Sequence, residues 1–232
     1  MLIGHIASLT RYPVKSTGGE PLARATVERR GVHGDRAWAA YTGDGGIGSG
    51  KTTRRFRRVD GLLHLTSRLA PDGPVVTFPD GRTTSGLGPE VDALLSAHVG
   101  QRVSLRPETT IPHHDEAPLH VVTTASLRRL AELSGRPVDA RRARANVVLD
   151  VDGDGFVEDA WKGRRLRLGE SLVIALGPGM QRCVMVDAEQ PGLAHGGGLL
   201  RTLGRMHGTE LGLQANVVET GEVAVGDAVV LM

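Results

Sequence analysis

Apolar stretches in this chain are short, and glycine, proline or aspartate cuts almost every one of them off before a long helix can form. Runs that alternate or carry β-branched residues fall at 2–9, 36–41, 75–78, 102–105, 119–122, 146–149, 171–176, 183–186, 214–218 and 223–231, and each is predicted as a strand. Only three segments keep helical spacing. Val91, Leu94, Leu95 and His98 stand at i, i+3, i+4, i+7 and stop at Gly100. A second helix is predicted to start near Ser126, to bury Leu127, Leu130 and Ala131, and to end at Gly135 before Pro137. Leu199, Leu203 and Met206 mark a third, closed by Gly208. Many short strands with few helices predict a mainly β fold of the α+β kind, barrel-like with helical decoration, and not a regular alternation of strand and helix.

The polar stretch 106–118, with three prolines and the adjacent His113 and His114, is the predicted linker. Neighbouring side chains on an extended chain point to opposite sides, so this histidine pair is expected in a solvated loop rather than around a metal. At 232 residues and 40% hydrophobic, the chain can bury one large core or two modest ones. Its 28 basic residues barely exceed its 26 acidic ones, and aromatics make up 3%. Neither figure argues for nucleic acid, because excess charge is slight and few rings are available for base stacking. No apolar run approaches the roughly 20 residues of a spanning helix, and Met1–Thr10 lacks a secretory signal's pattern. A soluble, cytoplasmic protein with no membrane partner is the expectation.

Two motif matches fail on context. Gly45 to Thr52 satisfies the phosphate-loop pattern G-x-x-x-x-G-K-[ST], but that site needs a buried strand running into the loop and a helix leaving it. Here Tyr41-Thr-Gly-Asp44 precedes it and the basic Thr52-Thr-Arg-Arg-Phe-Arg-Arg58 follows, so a hairpin or loop is predicted. Asp150-Val-Asp-Gly-Asp-Gly155 copies the start of a calcium-binding loop, yet its twelfth position, which must be a bidentate Glu, is Trp161. A hairpin turn is predicted there instead.

Cys183 is the sole cysteine. One thiol forms no internal disulfide and holds no iron-sulfur cluster, which leaves an inert core residue, a nucleophile or a single metal ligand. Arg182 beside it favours the thiolate, and the glycines at 177 and 179 let another molecule approach the backbone.

Three segments, in order, resemble the MOSC domain family, named for the C-terminal domain of molybdenum cofactor sulfurase, with its usual N-terminal β-barrel partner. They are Arg11-Tyr-Pro-Val-Lys-Ser16 with Gly34-Asp-Arg-Ala-Trp38; Arg144-Ala-Asn146 leading through Glu158-Asp-Ala-Trp161 to Leu168-Gly169; and Arg182-Cys183 with the closing Gly221 to Asp227. The resemblance implies a β-rich N-terminal domain over 1–106 and a barrel-like MOSC domain over 107–232. It also implies a molybdenum cofactor, a pyranopterin whose dithiolene binds the metal and whose far end carries a phosphate. Cys183 would then be the catalytic residue and the protein's metal ligand, since a soft thiolate suits a metal already bound by sulfur. Lys15, Ser16, Arg36 and Arg144 would grip the anionic tail. Asn146 would meet the pterin edge, Thr123, Thr124 and Ser126 would add donors at a helix start, and Arg182 would neutralise charge beside the metal. Glu158, Asp159 and Trp161 match the family pattern but are assigned to packing and capping.

The implied activity is an oxidoreductase acting on a small molecule, removing oxygen from an N-hydroxylated compound. One cysteine builds no second redox centre, so a separate flavin or iron-sulfur protein would deliver electrons. The alternative is a carrier that holds a persulfide on Cys183 or delivers the cofactor. No pyridoxal-phosphate lysine motif is recognisable.

Overall fold

In Arg165–Leu168 the arginines face outward while Leu166 and Leu168 are fully buried, the two-residue period of a strand with one face on a core. Seven such strands close a barrel, in the order Leu2–Arg11, Val147–Val151, Leu119–Thr123, Glu210–Glu219, Leu172–Gln181, Arg165–Leu168 and Ala228–Leu231, which returns to the first. The computed structural model describes residues 1–232. Ile6, Leu119, Leu149, Leu166, Ile174 and Leu213 fill the interior, so the barrel is a packed core and not a pore. The barrel's one parallel pairing, Leu119–Thr123 with Val147–Val151, needs a crossover. Helix α2 (Thr124–Ser134) supplies it, after α1 (Pro89–Val99) and before α3 (Leu199–Met206).

Between Val14 and Leu105 the chain builds a second core around Val14, Ala40, Leu62, Leu65, Phe78 and Leu95. A four-stranded sheet (Trp38–Thr42, Ile47–Ser49, Phe56–Arg58, Val103–Pro107) and a three-stranded one (Thr66–Ala70, Gly73–Thr77, Thr83–Ser85) enclose it with α1. The two parts are not separate in space at residue 106. Strand Leu2–Arg11 belongs to the barrel, and Arg24–Glu28 pairs with Gly221–Ala224.

Several sequence expectations are corrected. Residues 183–186 are no strand; Val184–Val186 is a single 3-10 turn. The run 223–231 is two strands, Gly221–Ala224 and Ala228–Leu231, broken where Gly226 adopts φ 90° and the Asp227 carboxylate accepts the Ala224 N–H at 2.8 Å. The calcium-loop lookalike leads into the 3-10 helix Val157–Trp161 and joins no hairpin. The phosphate-loop lookalike is, as expected, a hairpin, Trp38–Thr42 with Ile47–Ser49. The predicted linker is no solvated tether, since His113 is fully buried within it. No helix is long and apolar enough to cross a membrane.

Gly212 shows how tightly the barrel wall is built. It has φ 73°, and a Cβ there would lie 2.3 Å from the Val121 carbonyl oxygen and 2.6 Å from His120 Nε2. Gly212→Ala is therefore expected to cost roughly 2–4 kcal/mol, from a left-handed backbone plus a clash with main chain. Thermal unfolding measures the loss.

Candidate functional site

The two motifs 12–16 and 34–38 are distant in sequence but clamped face to face by main chain. Arg36 N–H donates to the Tyr12 carbonyl at 2.7 Å, Trp38 N–H to Pro13 at 3.1 Å, and Lys15 N–H to Trp38 at 2.8 Å. Buried Asp35 locks the pair, accepting the Tyr12 N–H at 2.8 Å with one carboxylate oxygen and the Arg36 guanidinium with the other. The clamp aims Lys15, Ser16 and Arg36 into one cleft.

The barrel supplies the opposite wall: Arg144 and Asn146 ahead of strand Val147–Val151, and Arg182 and Cys183 just past Leu172–Gln181. Arg36 and Arg144 both stand over the Tyr12 ring, 4.8 and 4.4 Å from its centroid. Arg144 also donates to the Thr17 carbonyl at 2.7 Å, and burial lowers its pKa to about 10. Burial draws the Arg182 guanidinium below its usual range too, with Cys183 beside it pulling the other way. Cys183 is half-buried on the cleft wall.

Behind it, Arg142 donates to the carbonyls of Val186 and Ala188, both at 3.3 Å, and Asp187 accepts the Gly198 and Leu199 amides at 2.9 and 2.7 Å where α3 begins. These contacts fix the turn that presents the thiol.

Two features mark the cleft as built for something it must bind. Ser16, Arg36 and Arg144 have φ 65°, 49° and 53°, the left-handed region that costs a residue with a side chain on the order of 1–3 kcal/mol. Only one other non-glycine residue, Thr209, shares it, and its carbonyl accepts the Arg182 N–H. In addition, Ser49 Oγ, His114 Nδ1 and Arg182 Nε are buried without a hydrogen-bond partner, and all three residues line the cleft. A polar atom left so costs about 1–3 kcal/mol unless a ligand satisfies it.

Of the predicted site residues, the structure brings together Lys15, Ser16, Arg36, Arg144, Asn146, Arg182 and Cys183. It does not bring Thr123, Thr124 and Ser126. The Thr123 and Ser126 hydroxyls donate to buried Glu158 at 2.6 and 2.5 Å, and Thr124 donates to Asp150 at 2.9 Å on the surface, so all three donors are already taken by the protein's own carboxylates. Asn146 is partly committed, since it accepts the His120 N–H at 3.2 Å and donates to Thr10 at 3.3 Å.

Sequence reasoning missed Ser49, His114, Asp115 and His120, all cleft residues. The adjacent histidines do split: His113 turns inward to Tyr41 and the Arg36 carbonyl, and His114 faces the cleft. Burial lowers the pKa of His120 to about 3 and of His113 to about 4. Below pH 6.5 the unfolded chain takes up protons that these folded-state imidazoles refuse, so stability falls as pH drops from about 6.5 toward 4. The slope is expected to be up to about 1.4 kcal/mol per pH unit for each histidine, readable from melting temperature against pH.

Comparison with known proteins agrees with this architecture. A model of the MOSC domain matches residues 108–230, and one of the MOSC N-terminal beta barrel domain matches residues 3–97. No curated protein matches the chain. Among solved structures, the YUAD protein from Bacillus subtilis superposes with a TM-score of 0.53 at 13% identity, covering 97% of this chain and 93% of that one. YiiM from Geobacillus stearothermophilus gives a TM-score of 0.37 at 17% identity, over 50% of this chain and 54% of its own. The first likeness shows a shared fold. With more than half of the sequence matched by one domain model, and with that domain's barrel and a cysteine-bearing cleft in place, the chain belongs to the MOSC domain family.

Proposed function

We propose that the protein binds a molybdenum cofactor in this cleft and removes oxygen from N-hydroxylated compounds such as amidoximes or hydroxylamines. Electrons would come from a separate flavin or iron-sulfur protein. One observation carries the reading: a lone cysteine shares a cleft with four cationic side chains, and three buried polar atoms there lack partners. The donor set fits such a group. Cys183 Sγ offers a soft ligand to a metal, and Lys15, Ser16, Arg36 and Arg144 offer charge-assisted hydrogen bonds to an anionic tail. Arg182 Nε and Ser49 Oγ would gain the acceptors they lack.

When bound, the cofactor supplies the two-electron redox couple that oxygen removal requires. Overall, the substrate's N–O bond breaks, two electrons and two protons enter, and the oxygen leaves as water. The chain's part is to position and to exclude solvent. Met180, Met185 and Ala117 give the cleft its apolar surface, and the Asp35 clamp would hold Arg36 in place for the ligand.

Protein purified from a cofactor-producing host should contain molybdenum and yield a fluorescent oxidised pterin. With a reduced viologen dye as donor, it should convert benzamidoxime to benzamidine. Absence of both metal and pterin would overturn the reading. If mild cyanide releases sulfur from Cys183 and no amidoxime is reduced, the carrier role takes its place.

A further inference from the structure

The phosphate-loop lookalike leaves one residue beside the cleft. Lys51 Nζ lies 2.6 Å from Asp115 Oδ2, and the other oxygen of the same carboxylate accepts from Lys15 Nζ. Both ammonium groups also stand over the Phe56 ring, at 4.2 Å for Lys15 and 5.5 Å for Lys51. Ser49, two residues before Lys51, is 1% exposed, and its hydroxyl has no partner.

Asp115 thus fills an anion position between two lysines, but fills it poorly. One negative charge faces two positive ones, with Arg36 nearby adding a third, and the Ser49 donor stays unmet. A doubly charged tetrahedral oxyanion would balance both lysines and still have an oxygen for the serine. The carboxylate also rides on an irregular segment at the surface. Arg55 holds that segment through the carbonyls of Pro112, His114 and Asp115 at 3.2, 2.8 and 3.0 Å, and His113 N–H donates to Glu108 at 2.6 Å. None of these bonds depends on the Asp115 side chain.

We propose that Lys15, Lys51 and Ser49 form a phosphate-binding site, and that Asp115 is its built-in competitor, displaced when a phosphate monoester dianion enters. On the function proposed above, that phosphate is the cofactor's own; inorganic phosphate offers the same chemistry. The site therefore opens only for a ligand carrying enough charge to out-compete a tethered carboxylate. Burial, opposed by Asp115, brings the Lys15 pKa down to about 8, so phosphate binding weakens as pH rises past that value. The charged groups around the pair are Asp115 and Arg36, with Arg55 over the same Phe56 ring; Lys15 also donates to the His113 carbonyl at 2.8 Å, and His114 and Glu116 line the cleft, Glu116 bonded to Gln214.

The test uses the full chain made in a host unable to synthesise the cofactor, titrated with inorganic phosphate at constant ionic strength. Asp115→Asn is expected to bind phosphate about tenfold more tightly than the parent, because the competent state no longer competes with its own carboxylate. Lys51→Gln is expected to bind about tenfold more weakly, the loss of one charge-assisted bond. In the parent, phosphate should speed amide exchange of residues 113–116, and in Lys51→Gln this effect should shrink. Unchanged or weaker binding by Asp115→Asn overturns the proposal, as does exchange in the parent that phosphate leaves unaltered. If Asp115→Asn does not fold, the exchange comparison between parent and Lys51→Gln decides alone. Should protein from a cofactor-producing host lack molybdenum and pterin while these phosphate results hold, the oxidoreductase reading falls and this site stands. Cofactor present with no phosphate effect gives the reverse.

Discussion

Alanine in place of Asp35 is expected to cost about 3–5 kcal/mol, the penalty for removing one partner of a buried ion pair. Two groups are affected at once: the Tyr12 N–H loses its acceptor, and the mostly buried Arg36 guanidinium loses its only salt-bridge partner, keeping just the Arg144 carbonyl at 3.2 Å. For a chain of this length the loss lowers the melting temperature by roughly 6–20 °C, at about 2–4 °C per kcal/mol. Asp35→Asn keeps a carbonyl oxygen for Tyr12 but turns no charge toward Arg36, so its melting temperature should fall between parent and alanine variant. A drop below about 1 kcal/mol for Asp35→Ala would show that the two motifs are held by their main-chain bonds alone.

The largest effect on activity is expected from Cys183→Ser. The side chain makes no hydrogen bond to lose, and the two residues are nearly the same size, so the melting temperature should hardly move. Serine replaces a soft thiolate with a hard hydroxyl that stays protonated at neutral pH. Changing the groups that merely support a metal ligand costs 10- to 100-fold. Loss of the ligand itself should therefore lower amidoxime reduction by more than about 100-fold, with a smaller loss of molybdenum, which the cofactor's dithiolene would still hold. On the proposed reading, pterin content should survive better than the metal, because Lys15, Ser16, Arg36 and Arg144 would grip the far end independently. Full metal and activity in this variant would remove Cys183 from the chemistry.

Strands with a buried apolar face were legible because alternation is a direct imprint of one-sided burial: Leu119–Thr123 and Val147–Val151 fall where their residues predict, and Leu172–Gln181 begins there but runs on past the predicted end at 176. All three helices were legible too, and α1 and α2 end at left-handed glycines, Gly100 and Gly135. Thr83–Ser85 is polar and too short to carry a period, so nothing local announces it; Arg24–Glu28 does alternate, with Ala25 and Val27 buried, and that signal was missed. Run 183–186 misleads because three apolar residues fit a turn as well as a strand. Met185 and Val186 face inward there, and Val184 is left 55% exposed.

For the site, charge next to a lone thiol was a real signal. Whether a hydroxyl is available is not written locally. Thr123 and Ser126 are claimed by Glu158, more than thirty positions away, and Ser49, in a segment set aside as a false match, is the one left open.

Strand Leu2–Arg11 closes the barrel against Ala228–Leu231 and Val147–Val151. During synthesis this strand can pair early only near Arg11, with Glu20–Leu22, and must wait for Val147–Val151 and then Ala228–Leu231, far behind it in sequence, to cover its two edges. Such far-reaching pairing slows folding, and uncovered strand edges invite other chains to pair. The nascent protein thus depends on what shields this strand more than a barrel stitched in sequential order would.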